Sequence, residues 1–517
     1  MKLYLKFILS FALITTMSCS EDFLDRPSLS QIAEDNFWQS ESDAFLAING
    51  MYSNLQSSSL YGGSLNGWQG YPGFDNLGDN AFNQFKWEGP GIFMEGSLTT
   101  ISGPIKANWT DNYKGIFLAN SIIEQVELIS TDLIDQETKN ELLGQALFVR
   151  ALHYFNLLVY WEEAPLITEV QELEEAFVPK NTSEEIYNQI VEDLTFASEN
   201  LPESFADELF GYATKGAALS LFARVQLYNG VYQGENGVIN LTDQVMGLGY
   251  ALYPDYASLF TPQNETSSEI VFSVRFFREQ GTNNAETFSG TFAGTPKVDQ
   301  RPMPNLVNDY YASDGLPIDQ SPLFDPLNES ANRDPRANAT IYFPGDVFLT
   351  DISRVFTGNS PTNYGMRKYI RRQESNPDGV RSFQGGSQDF YVIRYADVLL
   401  MRAEALAETG DAAGAMQLVN QVRSRVGMPS VQNVEGMVGA DQMIDIVRHE
   451  RRVELALEGL RFMDLKRWGE VEEAFIRAIQ DPVGPYNPQY LGEKSEVFPI
   501  PQDEIDVNPE LTQNPAW

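Results

Sequence analysis

A chain of 517 residues with 43% apolar and 12% aromatic side chains has ample material for a large packed core, which excludes a disordered polymer. Its 72 acidic against 35 basic residues give a formal charge of −37, a field that repels nucleic acid and anionic membrane and argues against electrostatic binding to either. Two histidines and one cysteine leave almost nothing for a zinc or copper centre. Ser-His-Asp or Cys-His chemistry would have to run through His153 or His449. Both fall inside amphipathic helical patterns, so packed or solvated histidines, and no enzyme, are expected.

In chain order the first signal is a leader. Lys2 and Lys6 precede the apolar run Phe7 to Ile14, which ends in Thr15-Thr16-Met17-Ser18-Cys19. The run is far short of the roughly 20 residues of a spanning helix and has the flanks of a signal-peptide core. Cys19 is the only cysteine, so an exported chain can form no internal disulfide. Two readings are open: lipid attachment at Cys19 after cleavage, or its removal with an ordinary signal peptide. The small Ser18 before it and the lack of an A-x-A site favour attachment, with residues 1–18 as a lipoprotein signal peptide. The remainder then carries 33 basic and 72 acidic residues, a charge of −39.

Apolar periodicity predicts helices over Glu34–Leu55, Asn108–Ile129, Gln136–Trp161, Thr182–Leu201 and Thr214–Tyr228. Thr182 with Glu185 forms a capping box in which side chains satisfy the first-turn N–H groups. Further helices are expected over Phe390–Glu408, Ala412–Val426, Asp441–Leu457 and Leu460–Ala478. Consecutive pairs joined by short turns suggest antiparallel hairpins stacked in the tetratricopeptide manner. Leu60–Ile105 and Val231–Gln388 break the pattern; both are rich in Gly and Asn, and Glu269–Phe276 is strand-like. Loops this long are usually functional.

The C-terminal helices carry less generic residues. Tyr391–Leu400 (YVIRYADVLL) with Ala403-Glu404-Ala405 resembles a signature segment of the SusD/RagB family of starch-utilisation-type lipoproteins. Val422–Arg425, Glu450–Glu454, Glu458–Arg461, Asp464–Trp468, Phe498–Pro501 and Asn508 to Pro515 follow that family's blocks in order. Phe148–Ala151 with Tyr154-Phe155, Ala213–Ala217 and Asn332–Arg336 match earlier ones. Trp161-Glu162-Glu163 departs from the family by replacing a small Gly-containing turn, and Ala516-Trp517 replaces a Gly-Tyr ending.

The resemblance implies a mostly α fold of tetratricopeptide-like hairpins forming a right-handed solenoid with a large loop-rich subregion. Residues 19–517 would be one domain, with hairpins at about 31–60, 106–230 and 388–480. Insertions at about 61–105 and 231–387 would bind ligand, and a tail, 481–517, would wrap the helices. It also implies attachment to the outer membrane through Cys19, surface exposure, and a lid position on a SusC-like TonB-dependent transporter. Ser20-Glu21-Asp22 resembles the acidic tag that sends such lipoproteins to the surface. The ligand would be a polysaccharide or oligosaccharide, with peptide uptake of the RagB kind as the alternative. Apart from the resemblance, the plentiful carboxylates leave glycoside hydrolysis as a further reading, although no segment resembles a hydrolase. The charged residues of the blocks, among them Arg394, Asp397, Arg402, Glu404, Glu450, Arg451, Glu454 and Arg461, are expected to be structural ion pairs.

Sugars present apolar C–H faces and rings of hydroxyls, so a glycan site wants aromatic platforms beside Asp and Asn. Trp38, Trp109 and Trp161 lie on helical faces, Trp468 in a family block, and Trp517 at the end. Trp68 and Trp87 are left, in the first insertion, with Tyr71, Phe74, Asp75 and Asn76 between them. Phe288 and Phe292 are candidates in the second. Packing of the insertion onto the solenoid is the alternative for all of these aromatics. Arg367, Lys368, Arg371, Arg372 and Arg381 form a basic cluster that either holds acidic sugars or pairs with carboxylates. The second option makes a neutral glycan the default. No cofactor is expected; a structural calcium in the acidic loops stays open, without EF-hand spacing.

Overall fold

The computed structural model describes residues 38, 40–63, 70–83, 92–172, 175–206, 210–278, 286–289, 291–292, 295–296, 300–349, 354–358, 361–370, 386–481, 483–484 and 486–517. Cys19, Trp68, Trp87, Arg371, Arg372 and Arg381 lie outside them. The first long helices are α1 (Glu41–Leu55), α2 (Gly103–Leu128), α3 (Gln136–Trp161), α4 (Ser183–Asn200), α5 (Lys215–Tyr228) and α6 (Val238–Met246). The C-terminal set is α7 (Tyr395–Glu408), α8 (Ala412–Arg425), α9 (Ala440–Glu454), α10 (Arg461–Trp468) and α11 (Val471–Gln480). Each helix from α1 to α8 packs on the next, and α9 packs on α7 and α8.

Packing of α6 against α7 is the informative contact, because the residues between them form the second insertion. That insertion therefore loops out of one continuous helical stack. It is fastened where strand Ile270–Val274 pairs antiparallel with strand Phe390–Arg394. Residues 238–246, expected to be irregular, are α6 of the stack. Phe390–Arg394, expected to open a helix, is this strand; all five side chains are buried, and α7 starts at Tyr395. Leu460–Ala478 is two helices, because Gly469 turns left-handed at φ 69° and ends α10. α1 begins at Glu41, where Ser40 Oγ accepts the Asp43 N–H at 3.3 Å; residues 34–37 of the expected helix lie outside the described residues.

The capping box forms: Thr182 N donates to Glu185 Oε2 at 2.8 Å, and Glu185 N to Thr182 Oγ1 at 3.3 Å. α3 is long and apolar enough to cross a membrane, but it is buried between α2 and α4 as the core helix of the stack. A Cβ on Gly115 would fall 1.9 Å from His153 Nε2, so glycine permits the close crossing of α2 and α3. His153 is fully buried and burial pushes its pKa down to about 3, while Nδ1 lies 3.0 Å from Asn112 Oδ1. His449 stacks on Tyr311 and donates from Nε2 to the Asp309 carbonyl at 2.8 Å. After α3, Glu162 adopts φ 66°, the backbone state a glycine would take without strain, and its carboxylate meets Lys466 Nζ at 2.8 Å. The C-terminal segment crosses this end of α3: Phe498 N donates to Tyr160 O and Trp161 Nε1 to Pro499 O.

The charged blocks are buried ion pairs that join elements far apart in sequence. Asp397 receives Arg224 and Arg451, Glu404 receives Arg467, and Glu450 receives Arg336 and Arg423. Glu454 receives Arg336, Arg394 and Arg425. Burial alone would raise the Glu454 pKa, yet Arg425, Arg394 and Arg336 hold it well below the usual carboxylate range.

Candidate functional site

The two insertions are sutured to each other. Thr287 N donates to Gly62 O at 3.0 Å, Gln300 Nε2 to Pro72 O at 2.8 Å and Met303 N to Asn80 O at 2.9 Å. Ala81–Phe82 pairs antiparallel with Arg301–Pro302. The segment carrying Trp68 departs from Gly63, whose φ is +65° and whose added Cβ would lie 2.9 Å from Phe288 Cβ. The segment carrying Trp87 departs from Asn83, directly after the pairing of Phe82 with Arg301. Gly63 and Asn83, the described residues that precede these two segments in the chain, both lie at the seam between the insertions.

Phe288 stands on that seam, half-buried and edge-to-face with Phe276, Tyr369 and Phe390 at 5.7–6.0 Å. Phe292 belongs to a short backbone pairing of Thr291–Phe292 with Thr295–Pro296. The other four candidates are not on the surface. Tyr71, Phe74, Asp75 and Asn76 lie in a tight helical turn, Tyr71–Leu77, and are 0–5% exposed. Tyr71 packs on Tyr61 and Phe74, both at 4.9 Å, donates to Asn108 Oδ1 and accepts from Asn112 Nδ2. Phe74 meets Tyr160 and Phe498 edge-on. Asp75 accepts from Asn80 Nδ2 at 2.8 Å and Gly459 N at 2.6 Å, and burial raises its pKa.

This turn is an apolar plug, and burying it gains more than leaving its rings in water. Expected as a sugar platform, these four residues instead anchor the insertion. Asp79 completes the anchor, receiving Arg461 at 2.8 Å, Arg477 at 2.6 Å and Arg452 at 3.2 Å.

The basic cluster divides. Lys368 is buried, paired with Glu458 at 2.9 Å and donating to Ala456 O at 2.7 Å, so it is structural. Arg367 is half-buried over the Tyr342 ring, 3.9 Å from Asp346. Among the described residues no group of three or more His, Cys, Asp or Glu side chains could hold a metal ion.

Beneath the seam lies a buried acid cluster. Glu265 Oε1 accepts the Asp389 N–H at 2.7 Å, Asp389 meets Arg275 at 2.8 Å, and Glu286 accepts from Ser289 N at 2.9 Å. Burial and the Asp389 carboxylate push Glu265 up to about 9; burial raises Asp389 to about 7 against the pull of Arg275. The folded state therefore holds protons that the unfolded chain, near pKa 4, releases. This contribution to stability is full in acid and is lost as pH climbs from about 5 to about 9. Glu265→Gln should flatten the decline by roughly 1–3 kcal/mol over that range. Urea midpoints at both ends check this; parallel profiles for wild type and variant would refute it.

A helical stack whose two loop insertions are sutured together defines a loop-presenting helical scaffold. The chain belongs to the SusD family. The SusD family model matches residues 268–517, and a model described as starch-binding associating with outer membrane matches residues 22–227. A SusD-like protein of Formosa agariphila is 28% identical over 98% of this chain and 97% of that one. A SusD-like carbohydrate-binding protein from Bacteroides fragilis superposes with a TM-score of 0.78 at 27% identity, covering 92% of this chain and all of that one. A laminarin-binding SusD-like protein gives 0.73 at 26% identity, covering 93% and 100%.

Proposed function

We propose that this chain is a glycan-binding lipoprotein of the outer-membrane surface, anchored through Cys19. It captures a polysaccharide or oligosaccharide and delivers it to a TonB-dependent transporter of the SusC kind. The observation that carries this reading is the seam: Gly63 and Asn83, where the Trp68 and Trp87 segments depart, both stand at the junction of the insertions. Similarity to a named carbohydrate-binding protein and a named laminarin-binding protein supports it, as does a family description that specifies starch binding and the outer membrane.

Capture needs no covalent step. Indole faces cover the C–H side of a sugar ring, and neighbouring amides and carboxylates take its hydroxyls. The formal charge of −37 favours a neutral ligand. A glycan array followed by calorimetric titration tests the reading. The purified chain should retain at least one glycan, and Trp68→Ala and Trp87→Ala should each weaken it about tenfold or more. Binding of peptides in place of glycans would support the RagB-like alternative. Release of reducing ends during incubation would overturn the non-enzymatic reading.

A further inference from the structure

Beside the seam, on the helical side of strand Ile270–Val274, two adjoining cavities of about 300 and 290 Å³ share Phe210, Gly211, Tyr212 and Ser273. Each is at the lower end of the roughly 300–1,000 Å³ range of small-molecule sites. One is walled by Tyr250 and the Ser267–Ser273 stretch, the other by Asn49, Gln56 and Arg275.

Phe210 is 40% exposed, although Arg275 lies over its ring at 4.6 Å. A guanidinium holding a half-exposed phenyl ring in place leaves a fixed aromatic surface in water. Tyr212 beside it is rigid, its ring parallel to those of Tyr52 and Phe45 at 5.3 and 6.4 Å, with its hydroxyl donating to Asn49 Oδ1 at 2.8 Å. Polar groups border the rings, and in the wall Ser267 Oγ is buried without a hydrogen-bond partner. An unpaired buried hydroxyl costs free energy unless an incoming group satisfies it.

The wall of these cavities is tied to the seam by direct contacts. Gln56 Nε2 donates to Arg275 O at 2.7 Å, and the next residue, Phe276, packs edge-to-face on Phe288 at 6.0 Å. The geometry points to a second saccharide subsite at Phe210 and Arg275, into which a glycan chain held at the seam extends. An exposed aromatic face bordered by amides and hydroxyls matches a pyranose, which is apolar on one face and hydroxylated at its rim. The inference rests on the saccharide reading above and adds to it a dependence on chain length.

The test is an array carrying starch, laminarin, xylan, pectin and mucin glycans, each as polymer and as short oligosaccharide. It is probed with wild type, Phe210→Ala and Phe210→Tyr. Phe210→Ala should weaken binding of the retained polymer about two- to tenfold and leave the matching short oligosaccharide unchanged. Phe210→Tyr should restore the polymer signal, and an unchanged melting temperature should show that the fold is intact. Wild-type-like binding by Phe210→Ala across the array, with Trp68→Ala impaired, overturns the second subsite alone. Retention of no glycan by wild type overturns both the subsite and the saccharide reading.

Discussion

Replacing Arg394 with alanine should cost about 3–5 kcal/mol of folding stability. Arg394 ends the strand Phe390–Arg394, stands directly before α7 and is 1% exposed. Its guanidinium meets Glu269 at 2.8 Å, Glu454 at 2.6 Å and Glu458 at 2.7 Å, and donates to the Glu454 carbonyl at 2.8 Å. It therefore ties the root of the second insertion to α9 and to the turn after it. Without it, three buried carboxylates lose a counter-charge, and a buried charge left uncompensated costs more than a pair ever contributes. Arg394→Lys should recover only part, since an ammonium cannot reproduce a fork serving three acceptors. Urea midpoints for the two variants check this; an Arg394→Ala midpoint equal to wild type would refute it.

Asp79→Ala should be of similar size, about 3–5 kcal/mol, with a more local consequence. Asp79 is fully buried; burial would raise its pKa, but Arg452, Arg461 and Arg477 hold it far below the carboxylate range. Removing it takes the shared buried counter-charge from three guanidiniums and loosens the first insertion on α9, α10 and α11, where the Asn80–Arg452 and Asp75–Gly459 hydrogen bonds remain. Its stabilisation is present above the unfolded carboxylate range, near pH 4, and is lost only as pH falls below that range. Amide hydrogen exchange should accelerate over residues 71–83, and glycan affinity should fall with it. Exchange unchanged in those residues would contradict the anchor assigned to the Tyr71–Leu77 turn and Asp79.

The helical stack was legible because its signals are local. The Ile186, Ile190 and Leu194 spacing and the Thr182–Glu185 cap each act within a few residues. Phe390–Arg394 misled because a short apolar run of four residues before Arg394, buried on both faces, looks alike as strand or helix. The two buried aromatic candidates, Tyr71 and Phe74, were misplaced for a different reason. Tyr71 and Phe74 have the composition of a platform, and what buries them is contact with Tyr160 and Phe498, remote in sequence.

The Asp-Asn string had the same ambiguity. Asp79 suits a sugar hydroxyl as well as a guanidinium, and its partner Arg461 is 382 residues away. Phe210 and Tyr212 give no sequence signal, because two rings flanking one glycine in a connection carry no periodicity. Their exposure, not their pattern, draws attention to them.

The central claim is that sugar is held where the two insertions meet. The most direct measurement is a crystal structure of the purified chain soaked with an oligosaccharide that it retains on the array. Saccharide density is expected at the seam, beside Phe288 and between the Gly62–Thr287 contact and the Phe82–Arg301 pairing, with Trp68 or Trp87 against a sugar face. Density confined to the helical stack away from the seam, with neither tryptophan touching it, would contradict the account.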